Sequence, residues 1–171
     1  MTQTIAYFAY GSNMLTARLR ERVPSATRRH IGHLKDHTVA FHKHSLDGSG
    51  KATLTHSCAQ VAHGCVFTIS RDEKNSLDSA EGLGKGYHEK AVLVQVGSEL
   101  FEAFTYVAAP SHLDPTLQPY DWYLALVEAG AREHQLPEWV IEAYSSAERI
   151  TDPDIDRAEK HWRILRESRA T

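Results

Sequence analysis

An apolar strand that stops abruptly at a small polar turn constrains this chain most. Thr4–Tyr10 places Ile5, Tyr7 and Ala9 on one face and Ala6, Phe8 and Tyr10 on the other. Both faces are apolar, so the segment is expected to be a central, buried strand. It runs into Gly11-Ser12-Asn13, and Met14–Val23 then has helical character as far as Pro24. A strand that ends in such a turn and restarts as a helix aims several backbone N–H groups at one point. The helix dipole adds positive potential there, so the turn is a candidate cradle for an anion, a phosphate or a carboxylate.

The rest of the chain reads as strands with few long helices between them. Thr27 to about Lys43 alternates as one or two strands, with Val39 and Phe41 on one face. Leu46–Lys51 is a turn rich in Gly, Ser and Asp, and Ala52–His56 and Val61–Ser70 read as two further strands. Ser70 and Glu73 have capping-box spacing at the head of a short helix, and Gly82 follows it as a C-cap. Tyr87–Val96 and Glu99–Ala108 form a hairpin around Gly97-Ser98. Thr116–Gln135 is expected to be the longest helix, with Trp122, Leu126 and Ala129 at helical spacing. Pro137 opens another helix to about Tyr144, and Asp152-Pro153 reads as the N-cap and N1 of the last one. In that last helix Ile155, Ala158, Trp162 and Leu165 make one apolar stripe, a packing face or an oligomer contact. The pattern predicts an α+β domain, a mixed or antiparallel barrel with flanking helices, in place of a doubly wound sheet.

Composition narrows the function classes. The chain has 171 residues, enough for one domain with a sizeable core. A net charge of −3 gives no field that calls for nucleic acid or a membrane surface. The N-terminus has no basic segment followed by an apolar run, and no apolar stretch is long enough to span a bilayer, so a cytoplasmic location is expected. Cys58 and Cys65 are read as buried or half-buried free thiols.

Glu81 is the candidate for chemistry. It follows Leu77 by four residues in the last turn of its helix, so the two share a face. Leu77 is the one large apolar residue of that helix and should face the core, which carries Glu81 inward. A carboxyl there meets the negative end of the dipole and is partly desolvated. Both effects would raise its pKa and suit it to general acid/base work. The alternative is a solvated helix end, and the residues alone leave both open. The glycines of Gly82-Leu83-Gly84-Lys85-Gly86 lack the spacing of a nucleotide-binding loop and precede no helix.

Other groups point less clearly to chemistry. Ser12 lacks the flanks of a nucleophile elbow and reads as a hydrogen-bonding or capping residue. Of the 11 histidines, seven lie between His30 and His63, without a zinc-ligand pattern. Arg18, Arg20, Arg22, Arg28 and Arg29 read as a solvated basic face.

Three blocks in this order resemble the γ-glutamylcyclotransferases, within the AIG2-like superfamily. They are Tyr10-Gly11-Ser12-Asn13 after the apolar strand, Leu77-Asp78-x-x-Glu81-Gly82, and Tyr123 with Gly130-Ala131-x-Glu133-x-x-Leu136-Pro137. The resemblance covers roughly residues 5 to 145. It divides the chain into a family domain over 1–150 and a helical tail over 151–171. It implies a small β-barrel with flanking helices and a pocket at one end. It also implies a small-molecule γ-glutamyl substrate, no cofactor and no metal, with a homo-oligomer possible. In such an enzyme the turn amides hold the α-carboxylate of a γ-glutamyl group and the residue matching Glu81 moves protons. The α-amine attacks the side-chain amide carbonyl, closing 5-oxoproline and expelling an amino acid or amine, a lyase- or acyltransferase-type cyclisation.

Tyr7, Tyr10, Tyr87 and Tyr123 are the candidates to line the pocket. Gly84-Lys85-Gly86-Tyr87-His88 departs from the family pattern and leaves Tyr87 and His88 as alternatives for one pocket position. Glutathione-specific relatives typically carry another residue where Asn13 stands, which points away from glutathione. The rival readings are a non-catalytic γ-glutamyl-binding module and a cyclotransferase for γ-glutamyl-amines or γ-glutamyl-capped metabolites.

Overall fold

The β-rich centre of the chain closes on itself. The computed structural model describes residues 3–170. Its strands are β1 (Thr4–Ala9), β2 (Thr27–His44), β3 (Gly50–Ser70), β4 (Tyr87–Val96) and β5 (Glu99–Ala108). They form a closed barrel in the order β1-β3-β2-β4-β5. β1 lies antiparallel to β3, from Thr4 opposite Ser70 to Ala9 opposite Cys65. It meets β5 in parallel at Tyr7 and Phe104, which makes the barrel mixed. With a neighbour on each side, β1 is central, and its Tyr7, Phe8 and Ala9 are buried. Closure removes the open sheet edges that would otherwise need protection.

The hairpin β4–β5 forms in the register its turn sets, from Val96 opposite Glu99 to Tyr87 opposite Ala108. The stretch expected as two strands, Ala52–His56 and Val61–Ser70, is one long strand broken by a bulge. Lys35 pairs with Val61 while His37 pairs with His56. The extra residues loop out, with Asp36 and Ala59 both at positive φ, and the Asp36 side chain accepts from the Ala59 N–H at 3.1 Å. Cys58 lies in this bulge and is exposed, contrary to expectation, whereas Cys65 is buried and its thiol is pushed up to about 12 by desolvation.

The helices are α1 (Thr16–Arg20), α2 (Lys74–Glu81), α3 (Asp121–Glu133), α4 (Glu138–Ser146) and α5 (Ile155–Arg169). Several begin later than the sequence suggests, each for a local reason. The helix expected over Met14–Val23 splits into a 3-10 turn, Ser12–Met14, and the five-residue α1. Leu15 is extended between them, and burial of both Met14 and Leu15 overrides helix propensity there. Ser70 does act as an N-cap, but of a 3-10 turn, Arg71–Glu73, that leads into α2, and by accepting from Asp72 N–H. Glu73 reaches Ser25 instead of closing a capping box. Gly82 ends α2 in the left-handed conformation, as expected of a C-cap.

The start of α3 is delayed because Asp114 bonds the N–H and hydroxyl of Thr116, and Gln118 precedes a proline. The last helix is capped by Asp154, not Asp152. With 15 residues α5 is longer than α3, with 13. Leu165 packs inward with Ile164, Ala158 and Trp162 join from the rim, and Ile155 projects into solvent at the first position. No helix among the described residues is long and apolar enough to cross a membrane.

Candidate active site

The turn after β1, the end of α2 and the start of β4 meet at one end of the barrel. Between them lies a cavity of about 300 Å³, counting the space at its open mouth. Gly11, Ser12 and Asn13 form one wall and Glu81 another. Tyr7, Tyr10, Tyr87 and Tyr123 line it as well, so the residues singled out in the sequence converge on a single site. His88 points outward and is exposed, which leaves Tyr87 as the pocket residue of that pair.

The turn keeps its donors available. Gly11 stands as N-cap of the 3-10 segment, and the first N–H groups of any helix lack partners inside it. The α-helix that follows is short and separated from the turn by Leu15. The positive potential at the cradle therefore comes more from the local N–H groups and from nearby arginines than from a long helix dipole. Ser12 makes no side-chain cap. Its Oγ accepts from Nε of Arg18, a residue only 7% exposed. Arg18 Nη1 in turn contacts Nδ1 of His161 on α5 at 3.1 Å. The His161 ring stacks on Trp122, and burial beside the Arg18 charge holds it down at about 4. The neutral ring can therefore accept at Nδ1 from the permanently charged guanidinium.

Glu81 is half-buried, on the same helix face as the fully buried Leu77. Its Oε1 accepts from Asn13 Nδ2 at 2.9 Å and from Arg22 Nη1 in an ion pair. Asn13 uses its second amide hydrogen on Tyr7 Oη, at 3.0 Å, and its Oδ1 accepts from Arg22 Nη1 at 2.9 Å. Arg22 and Arg18, read from the sequence as part of a solvated face, are thus site residues. They lie four apart on a face that packs toward the turn, and an unusual density of arginine beside a small-residue turn was the signal for them.

The tyrosine hydroxyls are committed to structure. Tyr87 Oη donates to Ala52 O at 2.6 Å, Tyr123 Oη accepts from Ala52 N–H at 3.1 Å, and Tyr10 Oη donates to Tyr106 O. Tyr106, which the sequence reading missed, lines the cavity too and donates to Asp78. β5 does not alternate strictly, since neighbouring Thr105 and Tyr106 are both buried, so no simple sequence signal marked it. Burial pushes the phenols of Tyr7, Tyr10, Tyr87, Tyr106 and Tyr123 above their ordinary range, so they stay protonated at neutral pH. Glu81 is the one carboxylate among the residues lining this cavity. The arrangement offers N–H donors for an anion on one side and a carboxylate for proton transfer on the other.

The chain is similar to known proteins in sequence and in fold. Over 147 residues the chain is 31% identical to the γ-glutamylcyclotransferase of Homo sapiens, covering 79% of this chain and 74% of that protein. The chain belongs to the γ-glutamylcyclotransferase family. The protein of that name from Bos taurus is 30% identical over the same share of both chains. A solved γ-glutamyl cyclotransferase structure superposes with a TM-score of 0.80 at 27% identity, over 92% of this chain and 99% of the other. The family model described as AIG2-like matches residues 61–143, a segment that includes Glu81, Tyr87 and Tyr123 and leaves out the turn after β1. Membership therefore rests on these relatives, which span about four fifths of this chain, and it agrees with the closed barrel and its superposition on that solved structure.

Proposed function

We propose that the protein is a γ-glutamylcyclotransferase that converts a γ-glutamyl compound to 5-oxoproline. One observation carries the reading: the Gly11-Ser12-Asn13 turn and the Glu81 carboxylate face one cavity and are joined through Asn13 at 2.9 Å. The N–H groups of the turn hold the α-carboxylate of the γ-glutamyl unit, with Arg22 and Arg18 adding positive potential behind them. Glu81 takes a proton from the α-ammonium. The freed amine attacks the γ-carbonyl carbon of the same residue, forming the ring C–N bond. Attack leaves a second surplus proton on the ring nitrogen, and Glu81 passes both in turn to the departing nitrogen as the original amide bond breaks, giving 5-oxoproline with one lactam hydrogen and the ammonium form of the released amino acid or amine. One carboxylate can perform both transfers because the two nitrogens share one carbon in the tetrahedral intermediate. Since attack is intramolecular, the site mainly has to select a cyclisable conformer.

The test is 5-oxoproline release from a panel of γ-glutamyl dipeptides, γ-glutamyl-amines and glutathione. The expected result is turnover of at least one member and a loss of roughly 10²- to 10⁴-fold in Glu81→Gln. Silence across the panel, or full activity in the variant, overturns the assignment.

A further inference from the structure

The cations around the cavity differ in one respect. Arg22 is paired with Glu81, and Arg18 is bonded to Ser12 and His161. Lys51, a half-buried lysine, pairs with Asp47 at 2.8 Å, donates to Ser49 and sits over the Trp122 and Tyr123 rings. Lys43 is 7% exposed, yet among the described residues its ammonium has no ion pair and no hydrogen bond. Its Nζ rests 4.7 Å from the centroid of the Tyr87 ring, which lines the cavity. It also lies 3.3 Å from where a side chain would begin at Gly86, in the loop that follows Glu81. Burial lowers its pKa, and the Glu81 and Asp47 carboxylates oppose that shift.

A buried ammonium held by one aromatic face is poorly compensated. An anionic ligand would supply what is missing. Under the reading above, the turn takes the α-carboxylate and Glu81 serves both reacting nitrogens. The rest of the leaving group then extends past Glu81, on the side of the loop that ends α2. In a γ-glutamyl amino acid the next charged group is a carboxylate two bonds beyond the departing nitrogen. Lys43 borders that loop at Gly86 and reaches the Tyr87 ring on the cavity wall.

We propose that Lys43 determines substrate class by pairing with the carboxylate of the leaving amino acid, so that γ-glutamyl amino acids are preferred over γ-glutamyl-amines. This rests on the cyclotransferase reading for its placement of the substrate.

The experiment compares γ-glutamyl-alanine with γ-glutamyl-ethylamide, the same molecule without the leaving-group carboxylate. Both are measured on wild-type protein and on Lys43→Met, which keeps the length of the stem. Wild type should favour γ-glutamyl-alanine in kcat/KM by on the order of 10- to 100-fold. In Lys43→Met the ratio should fall toward one, with the loss in KM for γ-glutamyl-alanine. Both substrates see the same preparation, so a partly unfolded fraction cancels from the ratio. A wild-type ratio near one, or a ratio retained in Lys43→Met, overturns the proposal. Calorimetric binding of the two compounds to Glu81→Gln, with and without Lys43→Met, gives the same ratio without turnover. If wild type turns over neither compound, the binding ratio still decides the role of Lys43, and the wider panel decides the cyclotransferase reading separately.

Discussion

Asn13 Nδ2 donates to Glu81 Oε1 at 2.9 Å, joining the turn after the first strand to a helix end 68 residues later. The amide cannot be exchanged for its acid without inverting the contact. Asn13→Asp would set a second carboxylate against Glu81 and remove the donor to Tyr7. Asn13→Ala would only delete the link. In the proposed reaction kcat should fall by about 10- to 100-fold in Asn13→Ala and further in Asn13→Asp. Steady-state kinetics in which the aspartate variant matched wild type would remove Asn13 from the positioning of Glu81.

Arg22 bridges the same pair from outside the cavity, using Nη1 on Asn13 Oδ1 and on Glu81 Oε1. The pair is partly open to solvent, with 20% and 15% of the two side chains exposed, so its value lies in placement more than in stability. Arg22→Met should lower kcat/KM by about tenfold or more while the circular dichroism spectrum stays that of the wild type. Arg22→Lys should recover part of the loss, because lysine restores the charge without the planar fork. Equal activity of the methionine and wild-type enzymes would show the contact to be incidental.

Ser12 and Glu81 divide the work between holding and reacting. Ser12→Ala strands the Nε–H of buried Arg18, at a cost of about 1–3 kcal/mol, and should lower the melting temperature measurably. The cradle acts through backbone N–H groups, so activity should fall less than in Glu81→Gln. The reverse order in paired kinetic and thermal measurements would mean that the hydroxyl, and not the turn backbone, engages the substrate.

The sequence was most informative where one local rule decided the outcome. Tyr87–Val96 and Glu99–Ala108 formed the hairpin that Gly97-Ser98 implied, and Gly82 took the left-handed cap. Leu77 drew Glu81 to the cavity wall because residues four apart share a helix face. Legibility failed where tertiary packing overrode a local preference. Arg18 and Arg22 look like a solvated face until the chain folds a carboxylate and a serine against them. Asp152 has the spacing of a cap, but Trp122 Nε1, thirty positions earlier, and Arg157 claim its carboxylate. Lys43 carries no sequence mark at all, since its isolation depends on which side chains fail to reach it.

Gly130 sets how closely α3 approaches the turn. A Cβ there would lie 2.5 Å from the Leu15 nitrogen and 2.7 Å from the Met14 carbonyl carbon. These are backbone atoms and cannot swing aside, so Gly130→Ala must push α3 and the 3-10 segment apart. The gain in helix propensity, about 1 kcal/mol, is smaller than overpacking of about 1–3 kcal/mol. The variant should melt below wild type and should also raise KM, because the displaced segment carries Ser12 and Asn13. A more stable variant with wild-type KM would show that the approach is looser than these distances imply.

Asp152 ties the last helix to the domain and gives the stability a defined acid limit. Its buried carboxylate accepts from Trp122 Nε1 at 2.8 Å and from Arg157 Nε at 2.7 Å. Hydrogen bonds from Arg157, against the opposing effect of burial, hold its pKa at about 2, below the ordinary 3.8. A carboxyl depressed on folding stabilises the native state fully above its unfolded pKa, and that contribution is lost as pH falls through the folded value. The window is therefore about pH 4 down to about pH 2. Asp152→Asn should melt several degrees below wild type at pH 7, and the gap should narrow through that window. The measurement is a pair of melting curves at successive pH values, read as a difference so that other carboxylates cancel. A gap of constant size down to pH 2 would assign the effect to lost shape or hydrogen bonding and not to the Asp152 charge.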